Sequence, residues 1–217
     1  MRIICIILAR YGSARLPKKN LILYKKKPLI FWTIKQSLEI KRISKIILST
    51  DSRKIINIGN SFSKKIFINK RIKKFSGSKT KSETVIKYLS KIYNFDQNDY
   101  VLLLQPTSPL RKKSDINNII SISLKNRLNT LHSGNIFNIK KKINKKIIFY
   151  KKNLKKYIHS KRNYSYNGAI YLFKFSYFFK YKTIYEKIPN VFKMKNKNSL
   201  DIDTIEDYNK LLNNYDK

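Results

Sequence analysis

The stretch Asp201-Ile202-Asp203 carries two carboxylates at a spacing that could support metal-assisted chemistry. In an extended segment, residues two apart point to the same face, so the two carboxylates would converge and repel each other unless a cation joined them. Mg²⁺ suits this position because proteins hold it with one or two carboxylates together with substrate phosphates. The same stretch also suits the beginning of a helix, with Asp203 or Thr204 as the N-cap.

A cationic turn near the N-terminus could bind phosphate. The apolar run at residues 3–8 is followed by Gly12-Ser13-Ala14, which gives the backbone freedom to turn its N–H groups toward an anion. Arg10 and Lys19 flank this turn and can supply positive charge. The alternative is a basic turn on a protein that is basic throughout.

The segment Gln105-Pro106-Thr107-Ser108-Pro109 ends a second apolar run with a rigid turn. The two prolines restrict the backbone, and the three polar side chains offer hydrogen bonds that would suit a polyhydroxylated ligand. A stiff connection without a binding role is the alternative that chemistry alone leaves open.

Because the chain is so basic, an individual Lys or Arg is weak evidence for a binding site. An individual Asp or Glu is comparatively strong evidence. The chain has 217 residues and a formal charge of +37, with 49 Lys and Arg against 12 Asp and Glu. The lysines are spread from end to end together with Ile, Asn and Tyr, which indicates biased base composition rather than a surface selected for nucleic acid. We therefore interpret most of this charge as solvated surface.

Compartment can also be predicted from the sequence. The chain has one cysteine, Cys5, so it cannot form an internal disulfide, which favours a reducing compartment. The apolar run at residues 3–9 is too short for a membrane span or a signal segment. We therefore expect a soluble cytoplasmic protein with no membrane partner.

Alternating patterns predict a mostly parallel sheet flanked by helices. The expected strands and helices alternate along the first two thirds of the chain: strands at 2–8, 44–51, 64–69 and 99–111, and helices at 28–40, 52–62, 84–93 and 114–126. Such sheets bind ligands beyond the carboxyl ends of their strands, and the polar clusters at 9–20, 49–51 and 105–111 fall at such ends.

The last third of the chain is less regular. Residues 137–165 alternate apolar and basic residues, which is typical of a projecting β-hairpin and equally of a basic nucleic-acid-binding arm. Residues 167–179 are predicted to form a strand, and residues 201–215 a closing helix.

Four sequence blocks together resemble the acylneuraminate cytidylyltransferases, the CMP-sialic acid synthetases. In chain order they are LARYGSARLPKKN (8–20), STD (49–51), LLQPTSPLR (103–111), and the pair NGAIY (167–171) with DIDT (201–204). The blocks extend over nearly the whole chain. The third block followed by the last pair is the specific part of the resemblance.

The resemblance implies a Rossmann-like nucleotide-sugar transferase fold of the α/β class with a small projecting appendage. It implies a single domain over residues 1–217, in which residues 137–165 occupy the place of a dimerisation appendage, and hence a homodimer. The implied reaction joins CTP to a nonulosonic acid with Mg²⁺ as cofactor, giving a CMP-sugar and pyrophosphate.

The resemblance also implies roles for individual residues. Arg10, Ser13 and Lys19 would hold the triphosphate, and Asn20 would contact the nucleotide. Around the cytidine, the matching loop positions are Arg71, Thr80 and Ser82. Gln105 would touch the sugar acid, and Asn167 is a further candidate for binding the substrate or the nucleotide. Mg²⁺ would be bound by Asp201 and Asp203, with Asp203 also helping to activate the attacking hydroxyl.

The chain departs from the family pattern at several positions. Ala14-Arg15 stands where the family usually has a pair such as Lys-Gly, and Ser78 and Lys79 lie where an acidic residue is common. Ser165-Tyr166 replaces the usual Arg-Pro before NGAIY, which leaves Arg162 as the candidate to bind the sugar carboxylate. These departures bear on the identity of the sugar more than on the nucleotide.

Three alternatives to the family function stay open at this point. The first is a cytidylyltransferase for 3-deoxy-manno-octulosonate, against which NGAIY and DIDT count. The second is a non-catalytic basic protein that binds nucleic acid, against which the even spread of lysine counts. The third is an enzyme that has lost its activity.

Overall fold

The computed structural model describes residues 1–63, 65–136, 157–159 and 164–215. These residues form ten β-strands and six α-helices. The strands are β1 Ile3–Leu8, β2 Leu23–Tyr24, β3 Lys27–Pro28, β4 Lys45–Thr50, β5 Ile66–Lys70, β6 Tyr100–Leu104, β7 Thr130–Ile136, β8 Tyr157–His159, β9 Tyr164–Lys174 and β10 Asn190–Lys193. The helices are α1 Leu29–Leu38, α2 Arg53–Asn60, α3 Ser82–Ile92, α4 Lys113–Lys125, α5 Phe175–Tyr181 and α6 Ile205–Tyr215.

Eight strands form one sheet in the order β5-β4-β1-β6-β9-β7-β10-β8, and β2 pairs with β3 separately. The first four strands of the sheet are parallel to one another. β9 runs antiparallel to both of its neighbours, β6 and β7. The predicted α/β fold with a mostly parallel sheet is therefore confirmed.

The run of β-branched residues in β1 is buried on both faces of the sheet. Ile3, Cys5 and Ile7 face the core beneath α1, α2 and α4. Ile4 and Ile6 face the opposite core beneath α3 and α5. Burial of each such isoleucine stabilises the fold by about 2 kcal/mol, which explains why the central strand is a continuous apolar run.

Three features of the fold differ from the sequence-based expectation. The strand expected at 167–179 ends at Lys174, because α5 begins there and buries Phe175 and Phe178 at helical spacing. Strands β7 and β10 were not expected, since the first contains Ser, Gly and His and the second has four residues. Residues 201–203, expected to be extended, lie outside any strand and lead into α6.

The expected appendage at residues 137–165 lies largely outside the described residues. The described parts are Tyr157–His159, which pairs antiparallel with β10, and the beginning of β9. In the described part of the chain, no helix combines the length and apolar character needed to cross a bilayer.

The tight contact of β7 with β9 provides a test of the sheet. A Cβ atom added at Gly134 would lie 2.6 Å from the Ser165 carbonyl oxygen and 2.8 Å from a methyl carbon of Val191. We predict that Gly134→Ala lowers the free energy of unfolding by about 1–3 kcal/mol, because a backbone atom must move. Urea unfolding measures this, with Gly12→Ala as the control, since a Cβ there meets nothing within 4 Å. Equal stability of the two variants would contradict the packing described.

Candidate active site

A cleft of about 250 Å³ lies at the carboxyl ends of β1 and β6. The parallel register places the residues that follow these two strands at the same edge of the sheet. The cleft brings together eight residues that the sequence singled out: Arg10, Ser13, Lys19, Asn20, Arg71, Thr80, Ser82 and Gln105.

The loop after β1 is fixed by contacts with two other segments. The Asn20 side-chain amide donates to the Arg10 carbonyl oxygen at 2.9 Å. The backbone N–H of Tyr11 donates to Asp51 Oδ1 at 2.6 Å. Arg10 Nη1 in turn donates to the Gly77 carbonyl oxygen at 3.1 Å, so the cation joins this loop to the segment before α3.

Arg71 enters the cleft from a buried position. Its backbone N–H donates to the Thr50 carbonyl oxygen, and its guanidinium donates to the Ser49 hydroxyl at 3.1 Å and to the Ser49 carbonyl oxygen at 2.8 Å. Burial lowers the pKa of Arg71 to about 10, with Asp51 opposing the shift and Arg10 adding to it. The guanidinium is therefore still protonated at neutral pH and is held in one orientation.

Asp203 is paired with two cations of the N-terminal loop. Arg15 Nη2 lies 2.6 Å from Asp203 Oδ2, and Lys19 Nζ bonds to Asp203 Oδ1. Burial by itself would raise the pKa of Asp203, but Lys19 and Arg15 together outweigh burial and lower it. The carboxylate is therefore ionised, and the loop is joined to the end of the chain.

Asp201 lies in a different environment. Its Oδ1 atom is buried and has no hydrogen-bond partner among the described residues. Burial raises the pKa of Asp201, opposed by the Thr107 hydroxyl and by Lys19, and reinforced by Asp203 and Asp207. A buried acceptor without a partner is costly unless a ligand completes it.

The helix-cap interpretation of this segment applies to Thr204. The Asp207 N–H donates to Thr204 Oγ1 at 3.3 Å, and the Thr204 N–H donates back to Asp207 Oδ2 at 3.1 Å. This reciprocal pair is a capping box, so the Asp203 side chain is not required as the cap.

The two carboxylates fit the donor set that Mg²⁺ requires. Among the described residues, no group of three or more His, Cys, Asp and Glu side chains could hold a metal ion. Asp201 offers an unpaired oxygen. The two oxygens of the neighbouring Asp203 bond to Arg15 and Lys19, which are partly exposed and which a metal ion could displace. One or two carboxylates are sufficient for Mg²⁺ when substrate phosphates supply further oxygens.

Three further sequence-predicted site residues are not among those that line the cleft: Asp201 and Asp203, described above, and Asn167. Asn167 is buried beside the cleft: its Oδ1 accepts from the Ser133 hydroxyl at 2.6 Å, and its Nδ2 donates to Met194 Sδ at 3.4 Å. Both polar groups of the Asn167 side chain therefore bond to protein atoms, and its expected ligand contact stays a prediction. Arg162 lies outside the described residues.

Three supporting residues received no role from the sequence. Asp51 holds the backbone of the N-terminal loop, Ser49 holds Arg71, and Arg111 lies buried behind Gln105. All three belong to the STD and LLQPTSPLR blocks, so the blocks themselves were the available signal.

A tyrosine cluster lies next to Asp201. The ring of buried His132 packs edge-on against Tyr166 at 5.4 Å, Tyr171 at 5.0 Å and Tyr185 at 5.5 Å between centroids. Burial lowers the pKa of His132 to about 4, so the imidazole is neutral. Burial raises the pKa of Tyr171, and the charges of Asp201 and Glu83 add to this effect.

A larger depression of about 590 Å³ lies at the opposite edge of the sheet, around Arg2 and Asp99. There the Arg2 guanidinium and backbone N–H both donate to Asp99, and the Asp96 N–H does so too. Because these internal contacts occupy the carboxylate, this depression lacks the convergent polar groups of the cleft.

Comparison with known proteins now identifies the family. The family model described as cytidylyltransferase matches residues 4–215. The chain belongs to the cytidylyltransferase family. The resemblance seen in the four sequence blocks is thereby confirmed.

Two curated relatives illustrate the range of the family. The 3-deoxy-manno-octulosonate cytidylyltransferase of Thermodesulfovibrio yellowstonii is 33% identical over 75% of this chain and 61% of its own length. The CMP-N,N'-diacetyllegionaminic acid synthase of Legionella pneumophila is 38% identical over 56% of this chain and 53% of its own length. The matched regions therefore cover between about half and three fifths of each relative.

The fold is shared with solved structures. A CMP:2-keto-3-deoxy-manno-octonic acid synthetase, solved in complex with CTP, superposes with a TM-score of 0.66 over 97% of both chains at 17% identity. At this identity the likeness concerns the fold.

The contrasting environments of the two carboxylates predict opposite effects on stability. We predict that Asp201→Asn raises the free energy of unfolding at neutral pH by about 1 kcal/mol, since it removes a charge whose burial is only partly compensated by Thr107 and Lys19. We predict that Asp203→Asn lowers it by up to about 1 kcal/mol, because two partly exposed ion pairs are weakened. Chemical unfolding at several pH values measures both effects.

The pH dependence checks the cause of each effect. The pKa of Asp201 is raised in the folded protein, so its penalty is present at neutral pH and disappears as the pH falls through the raised pKa. The pKa of Asp203 is lowered, so its stabilisation is present above the ordinary value of 3.8 and is lost as the pH falls through the folded value. Shifts of the same sign at neutral pH would contradict this assignment.

Proposed function

We propose that this protein is a cytidylyltransferase that joins CTP to a nonulosonic acid, releasing pyrophosphate and a CMP-sugar. The observation that supports this most directly is the position of the N-terminal cations. Arg10 and Lys19 line the same cleft as Gln105, and Lys19 contacts Asp203 directly. A triphosphate and an acceptor bound in one cleft can be aligned for in-line displacement.

In this proposal the N-terminal loop binds the triphosphate. Arg10 and Lys19 provide charge, while the loop around Ser13 provides backbone donors. Asn20 holds the beginning of the loop through the Arg10 carbonyl. Phosphoryl transfer requires charge compensation more than covalent chemistry. These positioned cations would therefore supply much of the stabilisation of the transition state.

We propose that the cytidine binds against Arg71, Thr80 and Ser82. Ser49 holds the Arg71 guanidinium, and the Thr80 backbone N–H donates to the Gly77 carbonyl oxygen, so the guanidinium and the Thr80 backbone are fixed before the nucleotide arrives. Preorganised donors of this kind favour one base over others through hydrogen bonding at fixed positions.

We propose that the sugar acid binds between Gln105 and the segment around Asp201. Gln105 lines the cleft and offers an amide to the hydroxyls of the sugar. Asp203 would assist the anomeric hydroxyl, once a bound triphosphate draws Lys19 away from it. Arg162 stays our candidate for the carboxylate of the sugar acid.

Asp201 and Asp203 are the proposed holders of Mg²⁺. When bound, the cation would offset charge on the triphosphate and on the departing pyrophosphate. The residues are suited to this by the unpaired Asp201 oxygen and by the neighbouring Asp203 carboxylate.

Nonulosonic acids are favoured by the NGAIY and DIDT blocks and by the legionaminic acid relative. The 3-deoxy-manno-octulosonate relative matches a longer part of the chain, so that sugar acid is the second candidate. We further propose one cytidylyltransferase domain that acts as a homodimer in the cytoplasm.

The test is pyrophosphate release from each of the four nucleoside triphosphates with Mg²⁺. The acceptors are neuraminic, legionaminic and pseudaminic acids and 3-deoxy-manno-octulosonate. We predict activity with CTP and a nonulosonic acid, with at least about tenfold lower kcat/KM for UTP, ATP and GTP, because Arg71 and its neighbours read the base.

Each contrary outcome has a distinct meaning. Release with 3-deoxy-manno-octulosonate alone would replace the proposed acceptor. Equal use of all four nucleotides would leave a generic triphosphate site. Binding of DNA or RNA with strong salt dependence, and no pyrophosphate from any mixture, would instead support a basic nucleic-acid-binding protein.

The carboxylates provide a second prediction. We predict that Asp201→Asn and Asp203→Asn each lower kcat by about a hundredfold or more, partly restored by higher Mg²⁺ or by Mn²⁺, because each removes a charged metal ligand. The matched control is Asp207→Asn, which alters the nearby helix cap and should leave kcat within about twofold. Unaltered Mg²⁺ dependence in both site variants would rule out the metal site.

A further inference from the structure

Arg111 is a buried cation without an anionic partner in contact. Its side chain is 2% exposed, and in the described part of the chain no carboxylate lies within ion-pair distance of it. Burying an unpaired guanidinium is expensive, so its contacts must compensate. Burial lowers the pKa of Arg111 to about 10, and the group is therefore charged at neutral pH.

The contacts of Arg111 lie where two strands separate. The β6–β9 ladder ends with the pair Leu104 and Ile170. The next residues along the two strands are Gln105 and Ala169, and Arg111 Nη1 donates to both of their carbonyl oxygens, at 3.2 Å and 2.6 Å. The guanidinium thus replaces the backbone hydrogen bonds that the next residue pair of the sheet would otherwise make.

A third contact orients the group. Arg111 Nη2 donates to Thr33 Oγ1 of α1 at 3.0 Å. Three acceptors on three different segments require donors in a fixed plane, which a guanidinium provides and an ammonium does not. The planar arrangement of the arginine donors, as well as the positive charge, therefore suits this position.

The separated strands lead directly to the acceptor half of the cleft. At Gly168, beside Ala169, φ is +74°, and an added Cβ would lie 2.9 Å from Asp201 Oδ2 and 3.8 Å from Gln105 Oε1. The Ile202 N–H donates to the Thr107 carbonyl oxygen at 2.8 Å. Gln105, Gly168 and Asp201 are consequently held together just beyond the guanidinium.

We propose that Arg111 is a positioning residue for the sugar-acid half of the site, fixing the separation of β6 and β9 and hence the places of Gln105 and Asp201. The inference rests on the proposed function. The nucleotide half depends on other contacts, those of Arg71 with Ser49 and of Tyr11 with Asp51. Loss of Arg111 should therefore affect the two substrates unequally.

The experiment compares Arg111→Lys and Arg111→Met with Arg2→Met as the control. Arg2 also bonds a buried partner, Asp99, but at the opposite edge of the sheet. For each folded protein we measure the CTP Kd by calorimetry without Mg²⁺, so that the proposed metal ligand Asp201 does not contribute to this constant. We also measure the KM for the sugar acid by pyrophosphate release, and hydrogen exchange of peptides covering 105–111, 168–172 and 44–50.

We expect Arg111→Lys to raise the sugar-acid KM by about tenfold or more while the CTP Kd changes by less than about threefold. Exchange should become faster in 105–111 and 168–172 and stay unchanged in 44–50. In Arg2→Met both substrate constants should stay unchanged. Arg111→Met should show the larger effect if it folds, and the lysine variant decides the test if it does not.

Three results would contradict a positioning role of Arg111. Parallel weakening of CTP and sugar-acid binding, uniform acceleration of exchange, or failure of both Arg111 variants to fold would show a general structural role and overturn the proposal. If the parent protein binds CTP but uses no sugar acid, the proposed function fails. In that case, unchanged exchange at 105–111 and 168–172 would overturn the Arg111 assignment, and local acceleration would support its positioning role.

Discussion

The hydrogen bonding of β1 between two parallel neighbours is the constraint on which the rest of the structure depends. The register pairs Leu8 with Ser49 on one side and Ile6 with Leu103 on the other. The chain therefore leaves β1, β4 and β6 at one edge of the sheet. That geometry brings a cationic loop, a buried arginine and a proline-rich turn into one cleft, although they lie far apart in sequence.

The few acidic residues of this protein say more about its site than the many basic residues do. Most of the 49 Lys and Arg residues are distributed without a pattern, whereas several of the 12 acids have specific partners. Asp51 fixes the N-terminal loop, Asp99 binds Arg2, and Asp203 binds Lys19 and Arg15. Asp201 alone of these is left with an unpaired oxygen, and its side chain bonds to the hydroxyl of Thr107, which lines the cleft.

The two buried arginines illustrate different uses of the same side chain. Arg71 lies at the cleft and keeps part of its guanidinium turned toward it while Ser49 orients the rest. Arg111 faces inward and bonds protein atoms only. Desolvation lowers the pKa of both to about 10, so both keep their charge at neutral pH and support the site electrostatically.

The sequence by itself determined the class of fold, the residues of the cleft and the family, because buried strands, turn residues and motif blocks are local patterns. It did not determine β7 or β10, whose polar or short segments become strands only by pairing with neighbours already in place. The environments of Asp201 and Asp203 were likewise decided by tertiary structure. Two residues apart in the chain, they acquire opposite pKa shifts because burial dominates at Asp201, whereas at Asp203 two cations from the N-terminal loop outweigh it. The same holds for Arg111, whose acceptors lie 6, 58 and 78 positions away in the sequence.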